Sequence, residues 1–65
     1  MERLKELRLE KGLTQVQLGK IIGFDGRTIG QYERRINEPD IKTIKKLCDF
    51  FEVSADYLLG FVDDI

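Results

Sequence analysis

Apolar residues recur every three or four positions along most of the chain, as on the buried face of a helix. No stretch alternates apolar and polar residues in the way that a half-buried strand does. A first helix is expected from about Glu2 to Lys11, with Leu4 and Leu7 facing the core and Gly12 ending it. The pattern predicts an all-α fold.

Helix 2 has the clearest start signal. Thr14 and Gln17 fit the S/T-x-x-E/Q capping box, in which each side chain binds the other residue's backbone N–H. Leu18 and either Ile21 or Ile22 supply its apolar face. We therefore expect this helix to end near Ile22.

Helix 3 is expected from residue 26 to residue 33, because Asp25 is a favourable N-cap residue. Its two glycines each cost roughly 1 kcal/mol relative to alanine. Packing through Ile29 and Tyr32 must therefore stabilise this helix.

Two more helices complete the pattern. Asp40 caps a fourth helix after a polar loop, and Ser54 caps a short fifth helix that Gly60 ends. The residues of helix 4 expected to face the core are Ile41, Ile44, Leu47, Cys48 and Phe51. We predict one compact five-helix domain over residues 1–60 and a short C-terminal tail over residues 61–65.

Length and composition agree with one small domain inside the cell. A domain of 65 residues buries only about 60% of its unfolded surface and has no room for a second lobe. The sequence contains no apolar run of about 18 residues and no apolar signal-peptide core. The lone Cys48, expected as a small core residue, lacks an internal disulfide partner. We therefore expect a reducing, cytoplasmic location.

The charge is unevenly distributed. A net charge of −1 and a pI of about 5.3 argue against a nucleic-acid partner. However, residues 1–48 carry eleven basic and seven acidic side chains, whereas residues 49–65 carry five acidic and no basic ones. The first part is therefore basic by four charges, although solvated helix faces also produce such an asymmetry.

The segment from residue 15 to residue 33 has the features of a helix-turn-helix made of helices 2 and 3. Two short helices that meet at a steep angle need a small residue where they touch, and Gly19 supplies it. The turn needs a residue that tolerates left-handed backbone, and Gly23 supplies it. Leu18, Ile29 and Tyr32 can then share one core.

The outer face of helix 3 carries two side chains suited to reading bases. Arg27 and Gln31 are four positions apart, about 40° from each other and nearly opposite Ile29. In the major groove, arginine pairs with guanine O6 and N7, and glutamine pairs with adenine N6 and N7. Gly26 and Gly30 flank these side chains and would let the backbone approach DNA closely. The alternative is that Arg27 and Gln31 are ordinary solvated residues.

An ordered set of short matches extends over about residues 2–60. It consists of residues 7–15 (Leu-Arg-Leu-Glu-Lys-Gly-Leu-Thr-Gln), Leu18, Ile22-Gly23, Thr28-Ile29, Tyr32-Glu33, Glu38-Pro39, Val53-Ser54 and residues 56–60 (Asp-Tyr-Leu-Leu-Gly). On these residues the chain resembles the Cro/CI-type (XRE-like) helix-turn-helix regulators, which have the lambda-repressor-like fold.

The resemblance implies a double-stranded DNA operator as partner and a role in transcription regulation, in the first instance as a repressor. It assigns base reading to Arg27, Gln31, Gly26 and Gly30. It assigns contacts to the DNA backbone to Gln15, Asp25, Arg34, Arg35 and Asn37. Such backbone contacts supply affinity and register rather than sequence preference.

Four residues depart from the family pattern. Gly26 and Gly30 remove two possible base readers, so direct readout is expected to rest on few side chains. Asp25 stands where serine or threonine is frequent, and an acid beside phosphate is unfavourable unless its carboxylate serves as the cap. Arg35 stands where a glycine often ends helix 3. A left-handed residue other than glycine costs roughly 1–2 kcal/mol, which a phosphate contact would offset.

Other classes of function fit this sequence less well than DNA binding. The chain has no histidine, no glycine-rich phosphate loop and no motif that places a base near Cys48, so we expect no enzyme activity. We also expect no cofactor, no metal, no small-molecule ligand and no membrane association. A protein-interaction module on the same fold, such as an antitoxin or adaptor with weak or no DNA binding, stays as the alternative.

A homodimer on a two-fold operator is expected. Phe61, Val62 and Ile65 are apolar residues without an evident core role, so we place them at the dimer surface. A frayed tail or the edge of the core is the alternative for these three residues.

Overall fold

The computed structural model describes residues 1–64 and contains five α-helices in that part of the chain. They are α1 Leu4–Glu10, α2 Gln15–Ile22, α3 Gly26–Glu33, α4 Ile41–Phe51 and α5 Ala55–Leu58. Residues 1–64 contain no strand, and no helix among them has the length and apolar character needed to cross a bilayer. The predicted all-α, five-helix architecture is confirmed.

Four helices begin at side-chain caps. Thr14, Asp25, Asp40 and Ser54 each accept a hydrogen bond from the backbone N–H three residues further on, at 2.8 to 3.1 Å. The capping box of α2 is complete, because the Thr14 N–H donates to Gln17 Oε1 at 2.8 Å. All four predicted caps are confirmed, and they set the starts of α2 to α5.

Each helix contributes one completely buried side chain to the core. These residues are Leu4, Leu18, Ile29, Leu47 and Leu58. Helices of four to eleven residues are unstable alone in water, so this shared burial stabilises all five together. Ile22 rather than Ile21 joins the core from α2, and Tyr32 joins it from α3.

The prediction that Ile41 faces the core is wrong. Ile41 is the first residue of α4 and is 85% exposed. It lies about 120° around the helix from the buried Leu47, whereas Thr43 lies about 40° from Leu47. Thr43 is therefore buried in its place.

Candidate nucleic-acid interface

Two glycines determine how α3 meets α2. A Cβ atom on Gly19 would lie 2.6 Å from the Phe24 carbonyl oxygen and 2.8 Å from the Asp25 carbonyl group, so no side chain fits. Gly23 has a φ of 91°, and its N–H donates to the Gly19 carbonyl oxygen at 2.8 Å. Both predicted roles in the turn are confirmed.

The missing side chains of Gly26 and Gly30 would point toward α2. A Cβ on Gly26 would lie 2.8 Å from Val16 Cγ2, and one on Gly30 would lie 3.3 Å from Gln15 Nε2. Gly30 is also buried. The space left by the missing side chains of these glycines is therefore occupied by α2. A close approach of their backbone to DNA stays a prediction.

Arg27 and Gln31 lie on the side of α3 away from the core. Arg27 is exposed and Gln31 is half-buried, whereas Ile29 between them is completely buried. This is the arrangement expected from the helical spacing. The structure adds a contact that was not predicted, because Asn37 Nδ2 donates to Gln31 Oε1 at 2.7 Å.

The Asp25 carboxylate is engaged as the cap of α3. Its hydrogen bonds with Thr28 lower the pKa of the Asp25 carboxyl, and the nearby Arg27 charge acts in the same direction. Asp25 is therefore ionised and bound to the helix N-terminus. This meets the condition under which an acid is acceptable at this position.

A buried ion pair joins α1 to the end of α3. Arg8 Nε lies 2.6 Å from Glu33 Oε2, and the two side chains are only 8% and 4% exposed. Arg8 Nη2 donates to Glu33 Oε1 at 3.3 Å, and Arg8 Nη1 donates to the Leu13 carbonyl oxygen at 2.8 Å. The pair was not predicted; the only sign of it was that Arg8 falls on the same helix face as Leu4 and Leu7.

The ion pair also positions Gln15 at the start of α2. Gln15 Nε2 donates to Glu33 Oε1 at 3.1 Å, the same oxygen that accepts from Arg8. Gln15 itself is exposed and crosses the surface of α3 beside Gly30. Glu33 therefore holds the Gln15 amide against α3.

Three of the residues expected to contact phosphate follow α3 in the chain. Arg34 is exposed, and its Nε donates to the Gly30 carbonyl oxygen at 3.3 Å. Arg35 has a φ of 61°, which confirms the predicted left-handed backbone. Its guanidinium group forms an ion pair with Glu2, which was not predicted. The role of Arg34, Arg35 and Asn37 toward phosphate stays a prediction.

The tail leaves the core after α5. Phe61 is 76% exposed and Val62 is 42% exposed. Asp63 forms an ion pair with Arg3 at 2.9 Å, which holds the tail near the start of α1. Ile65 lies outside the described residues. The dimer role of these residues is not tested by the geometry of one chain.

Known proteins resemble this chain in sequence. A family model described as helix-turn-helix, HTH_3, matches residues 4–58. The transcriptional regulator ImmR of Bacillus subtilis is 39% identical over 59 residues, covering 91% of this chain and 46% of ImmR. YonR, a prophage-derived regulator of the same organism, is 41% identical over 58 residues, covering 89% and 54%. The chain thus spans about half the length of these curated relatives.

Solved structures resemble the chain in fold. The P22 c2 repressor in complex with a synthetic operator superposes with a TM-score of 0.81 and 33% identity, covering 88% of this chain and 86% of that one. A transcriptional regulator from Listeria innocua superposes with a TM-score of 0.85 and 30% identity, covering 97% and 59%. These matches confirm the lambda-repressor-like fold expected from the sequence, and the chain belongs to the HTH_3 family of helix-turn-helix proteins.

Proposed function

We propose that this domain binds double-stranded DNA sequence-specifically, with α3 in the major groove, as the reading part of a cytoplasmic transcription regulator. The observation that carries the proposal is the outward face of α3, which presents Arg27 and Gln31 opposite the buried Ile29. Membership of the HTH_3 family and the likeness to the operator-bound P22 c2 repressor support it. Occupation of a promoter would then repress transcription.

Base reading and backbone contact fall to different residues in this proposal. Arg27 is the exposed guanidinium group of α3 and would pair with a guanine. Gln15 lies beside Gly30, and Arg34 Nε donates to the Gly30 carbonyl oxygen; both side chains would contact phosphates. The left-handed backbone at Arg35 costs roughly 1–2 kcal/mol, and a phosphate contact would offset that cost.

Selection from a random duplex pool tests DNA binding directly. We expect an enriched consensus made of two related half-sites about one helical turn apart. A pool that stays random after selection would refute the proposal.

The salt dependence of duplex affinity distinguishes a DNA-binding domain from the interaction module. Counterion release makes the affinity of a DNA-binding domain fall steeply as salt concentration rises. An affinity that does not change with salt favours the module.

Arg27→Ala tests base reading. The substitution should remove preference at one base pair, costing about 1–3 kcal/mol there. Arg35→Ala is the matched control, since it removes the same charge from a residue assigned to phosphate. It should weaken binding to consensus and random duplexes alike. An unchanged ratio of specific to random affinity in Arg27→Ala would show that Arg27 is not a reader.

The Glu2 ion pair offers a second test of Arg35. In the free domain Glu2 neutralises the Arg35 guanidinium group, so a phosphate must compete with this carboxylate. Glu2→Gln should therefore raise affinity for all duplexes, and the increase should disappear in the Glu2→Gln/Arg35→Ala double variant. Equal affinities of the protein and of Glu2→Gln would contradict the phosphate role.

We also propose that the domain forms a homodimer, in which the two copies meet through the tail, residues 61–65. Phe61 and Val62 are exposed apolar residues next to α5, and Phe61 borders a surface pocket with Met1, Pro39 and Ile44. Phe61→Ser/Val62→Ser should lower the sedimentation coefficient toward that of one chain. Ile41→Ser, which removes a residue of comparable exposure elsewhere, should leave it unchanged. Equal mass for both variants would refute the tail interface.

A further inference from the structure

The loop after α3 folds back onto Gln31. The backbone N–H groups of Ile36 and Asn37 approach the Gln31 carbonyl oxygen at 2.9 and 3.5 Å. The side chains of Asn37 and Gln31 then meet, with Asn37 Nδ2 donating to Gln31 Oε1 at 2.7 Å. Gln31 is therefore held at both its backbone and its side chain by the same loop.

This contact binds one end of the Gln31 amide, the oxygen, and leaves the nitrogen available. A glutamine side chain offers an accepting oxygen and a nitrogen with two protons. Asn37 engages the oxygen, whereas the nitrogen has no acceptor among residues 1–64. Gln31 is thus presented to a ligand as a donor. A free glutamine would instead use both ends to bind adenine N7 and N6.

We infer that Asn37 is a specificity-determining residue, which acts by holding Gln31 in its donor orientation so that Gln31 selects guanine over adenine. Guanine shows two acceptors in the major groove, N7 and O6, which match the Nε2 protons of Gln31. Adenine shows one acceptor beside the N6 donor, and this donor would have to share Gln31 Oε1, which Asn37 holds on the side of the loop. The inference rests on the proposed function, since it needs α3 to lie in the major groove.

Asn37→Asp tests this polarity with almost no change in shape. A carboxylate can only accept, so it would bind Gln31 Nε2 and turn Gln31 Oε1 outward. Competitive binding is first measured with duplexes that each differ from the selected consensus at one base pair. The base pair at which Gln31→Ala no longer prefers one base over another is the one that Gln31 reads. At that pair, Asn37→Asp should lower the guanine-to-adenine preference by about fivefold or more. The pair that depends on Arg27 should keep its preference.

A double variant distinguishes reorientation of the Gln31 amide from repulsion of the DNA phosphates by the new carboxylate. If Asn37→Asp acts only by repelling phosphate, it weakens all duplexes equally in the presence or absence of Gln31. If it acts through Gln31, its effect on base preference vanishes in Gln31→Ala/Asn37→Asp. An unchanged preference in Asn37→Asp overturns the inference and leaves the proposed function intact. Absence of any selected sequence with the unmodified protein overturns both.

Discussion

Gly19→Ala tests how α3 is positioned against α2. The new methyl carbon would meet three backbone atoms of residues 24 and 25 at 2.6 to 2.8 Å. These atoms belong to the turn that leads into α3, so they can move only if the turn and α3 move with them. The substitution therefore tests whether the helix-turn-helix angle is set at this one contact.

The magnitude follows from two opposing effects. Alanine gains about 1 kcal/mol over glycine within a helix. Overpacking costs typically 1–3 kcal/mol, and contact with rigid backbone places this substitution at the upper end of that range. We expect a net loss of about 1–2 kcal/mol. A domain of this size has a free energy of unfolding of roughly 3–10 kcal/mol, so the loss is easily measured.

Urea denaturation measures the effect, and Gly30→Ala is the matched control. Both glycines are buried within helices, but a Cβ on Gly30 meets side-chain atoms of Gln15, the nearest at 3.3 Å, and no backbone atom of another element comes as close. We expect Gly19→Ala to lower the urea midpoint by about 1 M and Gly30→Ala to leave it unchanged or higher. Equal midpoints for the two variants would refute the reasoning, because they would show that the turn moves to accommodate the methyl group with no loss of stability.

Three further predictions concern stability. Glu52 ends α4 with a φ of 57°, so Glu52→Gly should stabilise the fold by about 0.5–1 kcal/mol, and an unchanged thermal midpoint would contradict this. Arg8→Met leaves Glu33 buried without its ion-pair partner and should cost about 3–5 kcal/mol in urea denaturation, whereas Arg8→Met/Glu33→Leu should recover most of the loss. The pKa of Asp25 is lowered by its bonds with Thr28, so the stability that its carboxylate contributes is complete above the unfolded value of 3.8 and is lost as pH falls through the lower folded value. Asp25→Asn keeps a capping side chain and should reduce the acid-induced loss, and identical acid transitions in both proteins would argue against this role.

Local chemistry made the helix boundaries predictable from the sequence. Thr14, Asp25 and Asp40 cap helices through bonds to residues only three positions away. The left-handed backbone at Gly23 and Arg35 likewise depends on neighbours within one turn. Interactions of this range are present in any chain with these residues, whatever the remaining helices do.

The tertiary structure decided which element covers each helix face. Arg8 is buried because Glu33, 25 residues away, is brought beside it by the packing of α1 on α3. Gly26 and Gly30 serve packing because α2 crosses over them, although their position on α3 also suited a reading surface. Helical spacing indicates which residues share a face, but the element that covers the face depends on how the helices pack. For the same reason the sequence by itself predicted Arg27 and Gln31 as a pair, whereas only the folded loop revealed Asn37 as the partner of Gln31.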